Sequence, residues 1–187
     1  GNFPIQVSEF LLPPNGRNLM AVTLTRKELR NILVNILSKF GFEMALKPHE
    51  GRIEIQKRLE ENIVISLPYY TASDTLQRIV FYLTAIYSNM KSILAFEEPE
   101  AHAFPYYTKY LAERIALDKN ENQYFMSTHN PYFLLSILEK TPKDEVGIFI
   151  TYLENYQTRV KLLSENDIKE VLEKGMDFFF DIERFLS

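Results

Sequence analysis

From about Thr25 to Phe40 the apolar positions Leu29, Ile32, Leu33, Ile36, Leu37 and Phe40 recur at three- and four-residue steps. That period predicts an amphipathic helix, and Gly41 stands where a C-cap would end it. The period then changes. Arg52-Ile53-Glu54-Ile55-Gln56-Lys57 alternates and Asn62-Ile63-Val64-Ile65-Ser66-Leu67 is short and β-branched, which predicts two strands joined as a hairpin. Further along, the pattern predicts a helix over 74–89, a strand over 92–96, a helix over 106–117, a strand over 123–127 and a helix over 132–139. The runs 146–152 and 157–163 predict an edge hairpin around Glu154-Asn155. Ser164, with an acid at the third helical position, predicts an N-cap opening a helix to about Lys174, and 177–186 reads as a short closing helix. Before Arg26, the punctuation of Pro4, Pro13, Pro14 and Gly16 predicts a loop-rich entry.

Strands alternating with helices predict an α/β fold, with a mostly parallel sheet covered on both faces and an antiparallel hairpin at its edge. The chain divides into an entry loop, helix and hairpin (1–70), a central α/β part (71–140), and an edge hairpin with C-terminal helices (141–187). At 187 residues and 46% hydrophobic it has enough apolar surface for a core. Twenty-one basic against 25 acidic side chains give a net charge of −4, so no global positive field draws it to nucleic acid or anionic membrane. DNA or another macromolecular partner finds no support in the charge. The absence of cysteine excludes disulfides and thiolate metal sites. Residues 1–5 lack a secretory leader, and no run approaches the roughly 18 apolar residues that span a bilayer. Cytoplasm is the expected compartment. A chain opening on Gly1 reads as processed or trimmed.

The strongest chemical feature is Ile93-Leu94-Ala95-Phe96-Glu97-Glu98-Pro99-Glu100, an apolar strand ending in paired acids. Open α/β sheets carry their sites at the carboxyl ends of such strands. One acid there can bind Mg²⁺, which takes one or two carboxylates plus phosphate oxygens, and the second can activate a water. Alone, the pair reads more readily as a solvated strand end before a helix whose first turn favours acids. The next strand repeats the design: Tyr124-Phe125-Met126-Ser127-Thr128-His129-Asn130-Pro131 runs into a polar turn carrying His129. Such a histidine can hydrogen-bond a γ-phosphate or its water, or simply cap the following helix.

Together these segments resemble the ATPase core of the ABC superfamily, in the branch of AAA-like ATPases related to SMC proteins, DNA-repair ATPases and OLD-type nucleases. The resemblance runs from about Pro14 to the C-terminus and implies the C-terminal lobe of a P-loop NTPase-like fold. It puts Glu97 at the Walker B magnesium acid, Glu98 at the catalytic glutamate, Pro99-Glu100-Ala101-His102 at the D-loop, and His129 at the switch histidine. Thr71-Ala72-Ser73-Asp74-Thr75 falls at the ABC signature, where a helix N-terminus meets the γ-phosphate held by a partner subunit. Ser73, Asp74, Thr75 and Glu100 are then the expected nucleotide-contacting residues, with ATP and Mg²⁺ as ligands and a homodimer sandwiching ATP. Asp74 departs from the signature, which has glycine there, and His102-Ala103-Phe104-Pro105 departs from a Leu-His-Pro. No G-x-x-x-x-G-K-[ST] loop occurs in the chain. The Walker A half is therefore expected from an upstream segment or a separate chain, and the isolated chain is expected not to hydrolyse ATP.

Two other readings compete with an ATPase half-domain. One is a degenerate, non-catalytic module serving dimerisation or partner regulation, for which Asp74 speaks. The other is a Mg²⁺ nuclease using Glu97, Glu98 and His102, which lacks further acids at ligand spacing. His49 reads as a turn residue and His102 as a helix-start residue. Tyr69-Tyr70, Tyr106-Tyr107 and Phe178-Phe179-Phe180 read as core or interface packing, since no basic residues interleave with them.

Overall fold

The computed structural model describes residues 9–186, so the readings that rest on Pro4 and on residues 1–5 lie outside the described residues. Buried Asn18 staples the entry segment: it accepts from the Leu12 amide and donates to the Phe10 carbonyl, each at 2.8 Å. Gly16 closes the turn at φ +64°, where a Cβ would lie 3.0 Å from Phe81 and 3.1 Å from Leu11. Backbone and packing both require glycine there. Part of the predicted entry loop is helix α1 (Leu19–Thr25). Leu19 to Thr23 are all buried, and a helix surrounded by core shows no amphipathic period to read. Extended Arg26 separates it from α2 (Lys27–Ser38), which buries Leu29, Leu33, Ile36 and Leu37. Helix α2 ends in a Schellman motif. Gly41 is left-handed, the Phe42 amide donates to the Leu37 carbonyl at 3.1 Å, and the Gly41 amide donates to Ser38 at 2.9 Å.

Strands β1 (Glu43–Lys47), β2 (Arg52–Glu60) and β3 (Ile63–Pro68) form an antiparallel sheet in that order. The alternation predicts the β2–β3 hairpin but misses β1, whose Glu, Met, Ala, Leu and Lys are all good helix formers. Pairing of Met44 with Ile55 and Leu46 with Ile53 overrides that preference. His49 lies in the 3₁₀ turn Pro48–Glu50 between β1 and β2. Helix α3 (Asp74–Ser88) follows, with Leu76, Ile79, Val80, Leu83 and Ile86 buried against α1, α2 and α4 (Pro105–Ala116).

Strands β4 (Ile93–Glu97) and β5 (Gln123–Ser127) pair in parallel, joined through α4, and α5 (Pro131–Leu138) follows. Phe96, Tyr124 and Met126 point into the core. On the other face Ile93 is 70% exposed and Phe125 56%. Cover on both faces is thus not observed: among the described residues one face of the parallel pair is open. The architecture is mixed α/β, with this parallel pair set among antiparallel hairpins. No helix of the described residues is long and apolar enough to cross a membrane.

Beyond Ile137 a second hydrophobic cluster takes over, built from Leu138, Ile148, Ile150, Leu163, Ile168, Val171, Phe178 and Phe185. Strands β6 (Phe149–Glu154) and β7 (Gln157–Leu162) turn at Asn155-Tyr156, both at positive φ as a two-residue type I′ turn demands. Helix α6 (Glu165–Lys174) opens with a complete capping box between Ser164 and Asp167. Those hydrogen bonds hold the Asp167 carboxyl below its usual range. The closing helix is replaced by two 3₁₀ turns, Gly175–Phe179 and Ile182–Phe185, anchored by Phe178 and Phe185 with ring centroids 5.0 Å apart. Two buried aromatic rings, rather than a continuous backbone ladder, fix this tail.

Gly16→Ala is expected to lower stability by about 1–3 kcal/mol through strain and overpacking. Gly41→Ala meets nothing within 4 Å and carries only the left-handed backbone cost, about 1 kcal/mol. Urea unfolding of the two variants, read as midpoints at unchanged slope, checks the order.

Candidate functional site at the carboxyl end of the parallel strands

Parallel pairing sets Glu97 opposite Ser127, so the two strands release their polar ends side by side. Glu98 follows at φ +40°, a left-handed backbone that a non-glycine residue adopts only when its surroundings hold it. Its amide donates to the Ser127 carbonyl at 3.0 Å, and its own carbonyl accepts from the Ala101 amide at 2.9 Å. So held, Glu98 directs its carboxylate to His129, with Oε1 3.4 Å from Nε2. Both side chains reach solvent, His129 at 88% and Glu98 at 45%. Glu97 is exposed beside them. The histidine's own backbone is fixed from the far side. Asn130 caps α5 by accepting from the Tyr132 and Phe133 amides, and its amide donates to Thr128 Oγ1 at 3.0 Å. The cap of α5 is thus Asn130, which leaves His129 free to face Glu98.

The turn after the acids is tied to α3 and to β5 by side chains. Thr75 Oγ1 donates to the His102 carbonyl at 2.7 Å, with His102 itself left-handed at φ +60°. Arg78 Nη2 donates to the Glu98 carbonyl at 2.6 Å. Thr128 Oγ1 donates to Glu100 Oε1, while Glu100 Oε2 is buried without a hydrogen-bond partner. Glu100 and Thr75 are both buried, so their polar atoms face the protein interior, whereas Ser73 and Asp74 stand exposed at the start of α3. Ser73 caps that helix, accepting from the Leu76 amide at 3.4 Å. His102 precedes α4 in the exposed turn rather than opening the helix, which starts at Pro105.

Arg78 and Thr128 are functional candidates that the sequence reading passed over. The available signal for Arg78 is a lone cation inside the apolar run of α3; for Thr128 it is adjacency to His129. Arg78 also lies over the Tyr82 ring, 5.5 Å from its centroid. Burial pushes the Tyr82 hydroxyl above its ordinary range, with Arg78 opposing and Glu100 and Glu97 adding to the shift. Among the described residues no group of three or more His, Asp or Glu side chains is gathered to hold a metal ion by itself. Glu97 at the strand end suits a cation shared with a phosphate, since Mg²⁺ accepts a single carboxylate when phosphate oxygens complete its shell.

The aromatic pairs split between core and surface. Tyr69, Tyr107 and Phe178 are buried, and Tyr70, Tyr106 and Phe180 are exposed. A basic residue from another part of the chain does meet one of them: Lys39 Nζ is 2.9 Å from the Tyr106 hydroxyl.

The fold that brings the α3 start, the paired acids and the histidine to adjoining parallel strand ends is shared with solved structures of SMC head domains. The chain is similar at TM-score 0.53 and 16% identity to a structure described under ATP-driven dimerization and DNA-stimulated activation of SMC ATPases, covering 83% of this chain and 96% of that one. It is similar to the Smc head domain with a coiled coil and joint from Pyrococcus yayanosii (TM-score 0.56, 16% identity, 82% of this chain and 30% of that one). It also resembles the Smc head domain with an extended coiled coil, bound to the C-terminal domain of ScpA, from Pyrococcus furiosus (TM-score 0.54, 16% identity, 86% and 40%). The chain therefore spans well under half the length of the two Pyrococcus chains. Residues 21–136 match the family model described as AAA domain, putative AbiEii toxin, Type IV TA system, and the chain belongs to that family. A search of curated proteins finds no match.

Thr128→Val removes the donor to Glu100 and leaves a buried carboxyl group without a hydrogen bond, an expected cost of about 1–3 kcal/mol. Pairing it with Glu100→Leu in a double-mutant cycle checks this, because the second change should erase most of the penalty of the first.

Proposed function

We propose that this chain supplies the Walker B, switch and signature portion of an ATP-hydrolysing site, and that the phosphate-binding loop comes from outside these 187 residues. The observation that carries the reading is the 3.4 Å approach of Glu98 Oε1 and His129 Nε2, beside exposed Glu97, at the carboxyl end of a parallel pair. Glu98 accepts a proton from the attacking water, and His129 donates a hydrogen bond to the γ-phosphate. Glu97 would hold Mg²⁺, which, when bound, offsets charge on the phosphate oxygens. Exposed Ser73 at the α3 N-terminus faces the nucleotide of a second copy in a homodimer. Thr75 and Glu100 act from the interior, through His102 and Thr128, instead of touching nucleotide. The uncovered apolar face around Ile93 and Phe125 supports a further element packing there, since exposed apolar sheet surface costs about 25 cal/mol per Å² left in water.

A second reading, a non-catalytic module retained for dimerisation or regulation, is favoured by one observation. Asp74 is exposed in the first turn of α3, where its charge suits the helix dipole but opposes a triphosphate.

The isolated 187-residue chain is expected to release no phosphate from ATP in a malachite-green assay, and the full-length protein is expected to turn over. Robust turnover by the isolated chain would sink the proposal. In the full-length protein Glu98→Gln should lower kcat by about a hundred- to ten-thousandfold, the usual worth of a general base. It should also trap an ATP-dependent dimer on size exclusion. A protein indifferent to Glu98→Gln in both assays is the non-catalytic module.

A further inference from the structure

Glu98 sits in a conformation that costs energy, and something must hold it. A non-glycine residue at φ +40° is disfavoured by about 1–2 kcal/mol relative to ordinary backbone. Its amide is fixed by Ser127 in the neighbouring strand. Its carbonyl accepts one hydrogen bond from within the turn, from Ala101, and one from outside it, from Arg78. The second is charge-assisted and short, at 2.6 Å, a class of hydrogen bond roughly twice as strong as a neutral one.

Arg78 is itself well oriented. Its guanidinium lies over the Tyr82 ring, Nη2 also reaches the Tyr82 hydroxyl at 3.3 Å, and Nε is buried without a partner. A buried N–H left unsatisfied is unfavourable, so the side chain is not arranged for its own hydrogen bonding. Its placement is explained by what the tip holds. Arg78 is five residues beyond Ser73 on the same helix, so one rigid element carries both the exposed helix start and the clamp on Glu98.

We propose that Arg78 is a positioning residue for Glu98: it clamps the Glu98 carbonyl, keeps the turn left-handed and thereby directs the carboxylate toward His129. In this role Arg78 acts only through Glu98. This inference rests on the proposed hydrolytic role of Glu98.

The test uses the full-length protein and steady-state ATP hydrolysis. Arg78→Met keeps an unbranched apolar stem and removes the donors, and is expected to lower kcat at least tenfold with KM for ATP within twofold of wild type. Arg78→Lys, which retains a cationic donor, should recover kcat to within about threefold of wild type. Should Arg78→Met fail to fold, Arg78→Gln takes its place with the same expected loss, because its amide ends two bonds short of Nη2. Wild-type kcat in the donor-free variant, a loss shared equally by Arg78→Lys, or a rise in KM that matches the fall in kcat each overturns the clamp. The Glu98→Gln control separates the two levels. If it leaves turnover unchanged, the hydrolytic reading itself fails, whereas if it abolishes turnover while Arg78→Met spares it, only the clamp fails.

Discussion

The register of the parallel pair β4–β5 is the constraint on which the rest depends. With Glu97 opposite Ser127, the residues that follow each strand emerge together, and Glu98 meets His129. Side chains alternate between faces, so a slip of one residue would turn Phe96 to solvent and bury Glu97 in the core, a cost the chain cannot absorb. The apolar inner face thereby enforces the geometry of the polar end. Phe96 and Tyr124 pack against the same core as α3, with Tyr82 edge-on to Phe96, so hydrophobic packing beneath the strands fixes where the acids come out.

Much of this was legible in the sequence because it follows from local periodicity. The strands at 93–97 and 123–127, the helices around them and the capping box at Ser164 all have patterns that depend on neighbours in the chain. Helix α1 was not legible because burial on every side erases the amphipathic stripe. Strand β1 was not, because its composition favours helix and only its partner makes it a strand. The acids and the histidine could be picked out by type and order. The ties that hold them could not: Thr75 to His102, Arg78 to Glu98 and Thr128 to Glu100 span 20 to 28 residues and depend on how α3 lies across the turn. For the same reason no local pattern could bring Lys39 to Tyr106, which lies 67 residues away.

The turn from Glu98 to His102 contrasts with the usual exposed loop. It is short and twice left-handed, and it is tied to a helix on one side and a strand on the other. Its buried members, Pro99 and Glu100, give it the character of a core segment, while Glu98 and His102 are displayed outward. Such a turn holds a carboxylate at a set position without waiting for a ligand to order it, which lowers the reorganisation cost when charge develops nearby. Ser73 and Asp74, by contrast, stand on an open helix start where the local field is favourable to anions yet already partly answered by the Asp74 carboxylate.

The open strand surfaces have a consequence for the life of the polypeptide in a crowded cell. Ile93 and Phe125 on the parallel pair, with Ile63, Ile65 and Leu67 along β3, form apolar rows on short β-branched or aromatic segments. Surfaces of this kind are what chaperones retain and what seeds self-association when their cover arrives late. The same face that leaves room for a further element to pack is, while it stands uncovered, an edge along which two copies of the chain can pair.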